Sequence, residues 1–531
     1  MVKRMAIFWR CKTLAQGPND ATMDQGAPLP RAGLRLLAAW LLAAGMVVAA
    51  VLPVIAIVNL DSPIDLSKRA KASIKSAYPD VEASMDGKYV AVVWSRGYNS
   101  ASETKDYGYI ILKSARPDPD GWENQIKVFT PTDSFWGVGP RAVFDPVDSG
   151  KLYVTWVGCD VTRPDPDIVS FQCDTIMAAT CTLTGTDRCS PAETVYSQTT
   201  GSLSTPDIAA DKAGQLHVVW KNGTTGAQGI QYKRKSGGSW DSLSLGYVSL
   251  GANFYSPALA WANDGSTYGR LHLAWYQFDS NEDSRFIEYR ACAPDPATHS
   301  WGSSDPSSSE WKAPKSMGYK FTGDTGEPTI KPSLAASGTT VVLAWDVSYK
   351  ADPNKFHLAY NYSATSGDTW IASGPYGLGL PDGDFSSITN TYLSPINNID
   401  EEDALRPSIA ITGTAPVVTW HYSGTVEEGV LLKHVQLVGY REASDALTWG
   451  DPTIIDQNLN YDGDQYPYDD SADPDLAIAP LSGVHLVYMG MWGRGSIENR
   501  DWDIYYRGDI TVDNSTDDAG GAYLPVILKN R

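Results

Sequence analysis

With 531 residues, 42% of them hydrophobic, the chain can bury a large core, and length alone suggests about two to four domains unless repeats intervene. A formal charge of -20 argues against a nucleic-acid backbone as partner, because phosphate contacts need clustered Lys and Arg. Eighteen Trp and 28 Tyr against 11 Phe, with 47 Gly and 33 Pro, describe short strands and many turns rather than helices.

In chain order, residues 1–35 are basic and read as a cytoplasmic or signal n-region. The stretch 36–60, LLAAWLLAAGMVVAAVLPVIAIVNL, carries no charge and is long enough for a membrane crossing, which needs about 20 helical residues. Lys3, Arg4, Arg10, Lys12, Arg31 and Arg35 precede it, so the positive-inside rule exports everything after Asp61. A cleaved signal peptide is the alternative, and the run is longer than a usual h-region. The expected location is the cell membrane with an external C-terminal domain, or the exterior if the segment is cut. Residues 61–77 read as a linker.

Cysteine usage agrees with export. Cys159, Cys173, Cys181 and Cys189 fall in one short window, while Cys11 and Cys292 stand apart. Sequence leaves three pairings open, of which the nearest-neighbour pairs, 159 with 173 and 181 with 189, are the expectation. No C-x-x-C spacing or histidine supports a zinc site within the window.

From residue 78 to 512 one phrase recurs: a proline opening an apolar strand, a second strand ending in an aromatic, then a third strand and a turn closed by Trp. The prolines are Pro79, Pro140, Pro206, Pro257, Pro332, Pro407 and Pro474; the aromatics are Trp94, Trp156, Trp220, Trp275, Trp345, Trp420 and Tyr488. Radial repetition of short strands predicts an all-β β-propeller, with seven blades and six as the alternative count. Separate sandwich domains would not repeat the phrase. The residue two beyond each proline is apolar, and the third is alanine in five units, so that second face is expected to line the central channel. The outer strand of unit seven comes either from ITVD, after DIYYRG, or from the segment between Asp61 and Tyr78. Residues 513–531 form a polar linker and a short apolar tail.

Within unit five, Ser363 to Trp370 reads SATSGDTW and closes the turn after the third strand; KRKSGGSW and EASDALTW end at Trp240 and Trp449 in corresponding positions. The stretch resembles the Asp-box of sialidase-like propellers built from BNR repeats, with Thr365 where the motif has aspartate. The resemblance covers roughly residues 78–510, through architecture more than identity. It implies a folding device away from the substrate face. The family's sialidases use an arginine trio, a Tyr/Glu pair and an Asp. No F/Y-R-I-P phrase is present here, Arg406 precedes its proline only in unit six, and Arg141 follows its own, so no catalytic residue carries over.

The residues just after the prolines, Asp80, Arg141, Asp207, Ala258, Ser333, Ser408 and Asp475, are expected to ring the channel mouth and could hold a cation or polar ligand. A water-filled polar channel is the alternative. Asp462, Asp464, Asp469, Asp470 and Asp473 make an acidic loop with calcium chemistry but no EF-hand spacing; calcium is the one cofactor the sequence suggests, and a solvated loop the alternative. Trp136, Tyr422, Trp492 and Arg494 fall on expected ligand-face loops, where aromatic faces suit sugars or peptides. The reading is an exported, cell-surface binding or adhesion module for glycan or protein. A sialidase-like glycoside hydrolase is the rival, and a structural envelope protein comes third.

Overall fold

Each proline-to-tryptophan unit supplies one antiparallel sheet, and the repetition makes a β-propeller. The computed structural model describes residues 64–508 apart from stretches between strands, among the longest 98–107, 293–310, 317–331, 371–402, 455–470 and 493–500. The apolar run 36–60 and the tail lie outside the described residues. Among those described, no helix is long and apolar enough to cross a membrane.

Six sheets hold four or five strands, and the fifth holds three among the described residues. The innermost strands are Ser76–Ala83, Phe135–Phe144, Leu203–Ala210, Phe254–Ala262, Ser333–Ser337, Asp403–Thr412 and Ser471–Ala479. Each lies beside the next, and the last lies beside the first, which closes the ring.

The hydrophobic core sits between sheets. Val81, Val90, Val92 and Trp94 of the first sheet pack with Ala477, Val487, Ile504 and Tyr506 of the seventh. Leu259, Leu271, Leu273 and Trp275 of the fourth pack with Ala209, Val219, Ile230 and Tyr232 of the third. The second residue after each proline thus faces the preceding sheet. The third, represented by Ala209 and Ala477, faces the following one. This corrects the expectation that the alanine face lines the channel. In a radial stack both faces of a sheet are covered by neighbours, and what meets the axis is the edge of the innermost strand.

That edge explains the prolines. Proline has no amide to give to a ladder and is tolerated on edge strands and at bulges. In six sheets the register slips immediately around it, as between Ala77 and Asp80 or Ser204 and Asp207. The residue before it has positive φ in all six: Tyr78 (55°), Gly139 (60°), Thr205 (46°), Ser256 (43°), Arg406 (53°) and Asp473 (46°). Five of these are not glycine, a conformation that costs on the order of 1–3 kcal/mol each. The repeated bulge is a built feature of the inner strand, and no composition signal marks it.

The outer strand of the seventh sheet is donated by the N-terminal segment: Ile64 and Asp65 pair with Tyr506 and Tyr505. Leu66 is fully buried in the seam between the seventh and first sheets. Ser67 Oγ donates to Asp503 at 2.7 Å and accepts from the Ile504 amide at 3.2 Å, and Gln125 Nε2 of the first sheet donates to the carbonyls of Leu66 and Ser67. The two ends of the propeller are therefore fastened by one short strap. Leu66→Ala is expected to destabilise the chain by about 2–5 kcal/mol, read as a lower midpoint in urea unfolding.

Both expected disulfides are present, Cys159–Cys173 and Cys181–Cys189, each joining residues directly opposite in the second sheet. Cys292 is a buried free thiol. In SATSGDTW, Ser363 Oγ accepts from the amides of Gly367 at 2.9 Å and Thr365 at 3.2 Å. Thr365 Oγ1 accepts from the Thr369 amide at 2.8 Å, so it caps the turn from the motif's aspartate position. The turn docks on the fourth sheet: Trp370 meets the Tyr289 ring edge-on at 4.8 Å, and Arg270 Nη1 donates to the Ser366 carbonyl. A Cβ on Gly367 would fall 1.8 Å from the Tyr289 hydroxyl, which fixes glycine there.

Candidate axial site

The edge facing the axis leaves inner-strand amides without a ladder partner, among them that of the second residue after the proline in each sheet. An unpaired amide in a protein interior is costly. The side chain just after the proline in the preceding sheet removes most of that cost. Asp80 Oδ2 accepts from the Ala142 amide at 2.6 Å, Asp207 Oδ2 from Leu259 at 2.6 Å, and Asp475 Oδ2 from Val81 at 2.9 Å. Ser333 Oγ accepts from Ile409 at 3.0 Å, and Ser408 Oγ from Leu476 at 3.2 Å.

The junction after the second sheet is the informative exception. Arg141 stands where an acceptor is needed, and a guanidinium has none to offer. The Ile208 amide is taken at 2.9 Å by its own neighbour, Asp207 Oδ1. Arg141 instead donates to Asp80 Oδ1 at 3.1 Å. Six of the seven amides are thereby satisfied around the axis. Ala258, before the remaining junction, carries no acceptor.

The six polar residues expected at the channel mouth are thus brought together on the axis, but most point sideways into a neighbouring sheet. Ser408 Oγ also donates to Asp475 Oδ1 at 2.6 Å. Both oxygens of Asp80, Asp207 and Asp475 are occupied. Glu82, the one charged residue among the third-position alanines, completes the cluster, and that departure from the repeat was its sequence signal. Burial pushes the Asp80 carboxyl up to about 8, with Arg141 opposing and Asp475 and Asp207 adding to the shift. Burial, then Asp80, Asp475 and Asp207, holds Glu82 well above the usual carboxylate range. Burial works against the Arg141 charge, yet Asp80, Asp475 and Asp207 outweigh it and raise its pKa.

Other expected site residues are distributed differently. Trp136 is buried within the inner strand of the second sheet, not on a loop, and takes space that a side chain at Gly108 would fill. Tyr422 and Trp492 lie in second strands, of the sixth and seventh sheets, with their side chains outside the described residues. Arg494, Asp462, Asp464, Asp469 and Asp470 lie outside the described residues altogether. Asp473 is ion-paired with Arg406 across the sixth and seventh sheets. Among the described residues no group of three or more His, Cys, Asp or Glu could hold a metal ion.

Three histidines escaped sequence reasoning. His217, His272 and His485 each stand three residues before the second-strand aromatic, fully buried. Their Nδ1 atoms meet the hydroxyls of Tyr232, Tyr289 and Tyr506 at 2.8, 2.7 and 2.7 Å. Burial lowers all three pKa values, to about 3 for His272 and about 4 for His485, so the rings are neutral struts.

The two faces of the ring differ. Second strands run nine residues past the buried aromatic in the second sheet (Lys151–Asp165) and eight in the sixth (Ala415–Glu428), against two to four elsewhere. Each forms a long hairpin with the strand that follows, Ile168–Thr182 and Leu431–Asp445, and both hairpins project from the face opposite the turns that follow the inner strands.

No family model matches the chain, and no curated protein does. Similar solved structures include an ulvan lyase of polysaccharide lyase family 25, at 10% identity and TM-score 0.44 over 82% of this chain and 94% of that one. Another is the α-L-arabinofuranosidase of Fusarium graminearum with arabinobiose, at 12% identity and TM-score 0.34 over 57% of this chain and 92% of that one. A third is the β-propeller domain of the trilobed protease from Pyrococcus furiosus, at 10% identity and TM-score 0.39 over 82% and 95%. At these scores the likenesses say nothing about chemistry here.

Proposed function

We propose that the chain is an exported, cell-surface propeller that binds glycan or protein ligands, held at the membrane by residues 36–60. One observation carries this reading. The axial carboxylates and hydroxyls, the groups best placed for chemistry, are engaged by backbone amides, while one face of the ring carries two hairpins far longer than their counterparts. Long loops on a rigid scaffold are where binding residues concentrate. The Cys159–Cys173 bridge sits at the base of one hairpin and stiffens it.

A second reading, a sialidase-like glycoside hydrolase, draws on Glu82. A part-buried carboxyl whose pKa is raised by desolvation and neighbouring carboxylates fits a general-acid pattern, and Asp80 lies in the same cluster. A glycan array, together with a turnover panel that includes ulvan and arabinan, separates the two. The binding reading expects retention of at least one ligand without cleavage. It further expects at least about tenfold weaker binding when residues 161–171 are removed, with unchanged unfolding, a loss worth about 1.4 kcal/mol. Turnover abolished by Glu82→Gln would replace the binding reading with the enzyme.

A further inference from the structure

The donated strap fixes where the chain enters the propeller. Ile64 pairs with Tyr506, and Tyr506 with Val487, while the end of the same third strand, Gly508, pairs with His485 beside the turn at 480–482. Going backwards from Ile64 along this strand therefore leads to the face that carries the turns after the inner strands. Residues 61–63 span at most about 10 Å when extended. The apolar run ends at Leu60, four residues before Ile64.

The same face carries apolar tips on the two sheets that follow the seventh around the ring, though not on the sixth, which precedes it. Among the described residues the exposed large hydrophobic side chains are Met85 at 61%, Val147 at 72% and Tyr78 at 41%. Tyr78 precedes the bulge, toward the other face. Met85 and Val147 cap the turns of the first and second sheets, which follow the seventh around the ring. In the seventh sheet the turn reads Pro480-Leu481-Ser482, outside the described residues. Away from this sector the corresponding tips are small or polar: Lys212 and Ala213, Ser266 and Thr267, Gly338 and Thr339, Gly413 and Thr414.

We propose that the turns of the first and second sheets, through Met85 and Val147, are a membrane-contact surface whose occupant is the lipid bilayer. The proposal rests on the anchor in the functional reading. Shallow insertion of apolar side chains beside a tether needs little intrinsic affinity, because the tether supplies a high effective concentration. Seated this way, the propeller turns its two long hairpins away from the membrane, toward external ligands.

The test uses the full chain, with Cys11→Ser, reconstituted in vesicles of phosphatidylethanolamine and phosphatidylglycerol containing brominated lipid. An environment-sensitive dye is placed by Met85→Cys or Val147→Cys, and by Thr267→Cys or Thr339→Cys, on the fourth and fifth sheets, as controls across the ring. The expected result is a blue-shifted emission and at least about twofold greater lipid quenching at positions 85 and 147 than at 267 and 339. Equal quenching at all four positions overturns the membrane contact and leaves the anchor and the binding reading standing. Release of the chain by alkaline carbonate removes the anchor, and with it this proposal, whatever the glycan experiments return.

Discussion

Asp475→Ala is expected to lower stability by about 2–4 kcal/mol, among the largest effects of any single polar substitution on the axis. Asp475 accepts from the Val81 amide across the seam between the last and first sheets, and from Ser408 Oγ in the sixth. Alanine strips both donors of their partner at once. It also removes a carboxylate that repels Asp80 and Glu82, which offsets a part of the loss. Asp475→Asn keeps a carbonyl oxygen for the Val81 amide and is expected to cost only about 1 kcal/mol. Urea unfolding of the two variants checks the difference; equal midpoints would mean that the amide bond contributes nothing.

The second large effect is on pH dependence. Asp80 ionises at about 8 in the folded chain and at the ordinary 3.8 when unfolded, and Glu82 is raised in the same direction. Between those values the folded state binds the extra protons, so stability falls as pH rises through the folded pKa. His272 and His485 act in the opposite sense: folded at about 3 and about 4, against 6.5 unfolded, they withdraw stability as pH falls below 6.5. Asp145 and Asp264, which turn hydrogen bonds hold below the usual range against their burial, withdraw further stability below about pH 4. His217 is lowered in the same sense, so three histidines outweigh two carboxyls below pH 6.5; stability should therefore peak near pH 6 and decline toward pH 8, each proton contributing up to about 1.4 kcal/mol per pH unit. Glu82→Gln should flatten the alkaline decline and, with one opposing carboxyl removed, steepen the loss of stability below pH 6.5. Thermal unfolding across pH 4 to pH 9 reads both limbs, and a midpoint that rises steadily to pH 9 would refute the assignment.

The repeat was legible because it is written in residue types. Proline marks an edge strand and a bulge, the second-strand tryptophan fills the gap between sheets, and both recur in every unit or nearly so. The disulfide pairs followed from proximity alone. What the sequence concealed were relations between units. The acceptor on Asp80 and the amide on Ala142 are 62 positions apart and meet only when the ring is built. Polar residues on an inner strand look like a ligand ring until the orphan amides of the neighbouring edge are counted. Trp136 looked exposed because DSFWGVG reads as a loop, whereas it opens an inner strand whose aromatic fits over Gly108. The histidine struts were hidden for a similar reason, since each needs a tyrosine from the adjacent strand to be recognised.

The central claim is that side chains after the prolines satisfy the axis-facing amides of the next sheet. Residue-resolved amide hydrogen exchange tests it most directly, at Val81, Ala142, Leu259, Ile409 and Leu476. These amides lie on strand edges with no ladder partner, and the account predicts strong protection at all five, with Asp475→Ala releasing Val81 selectively. Exchange of the five at the rate of open loop amides in the unmodified chain would contradict it.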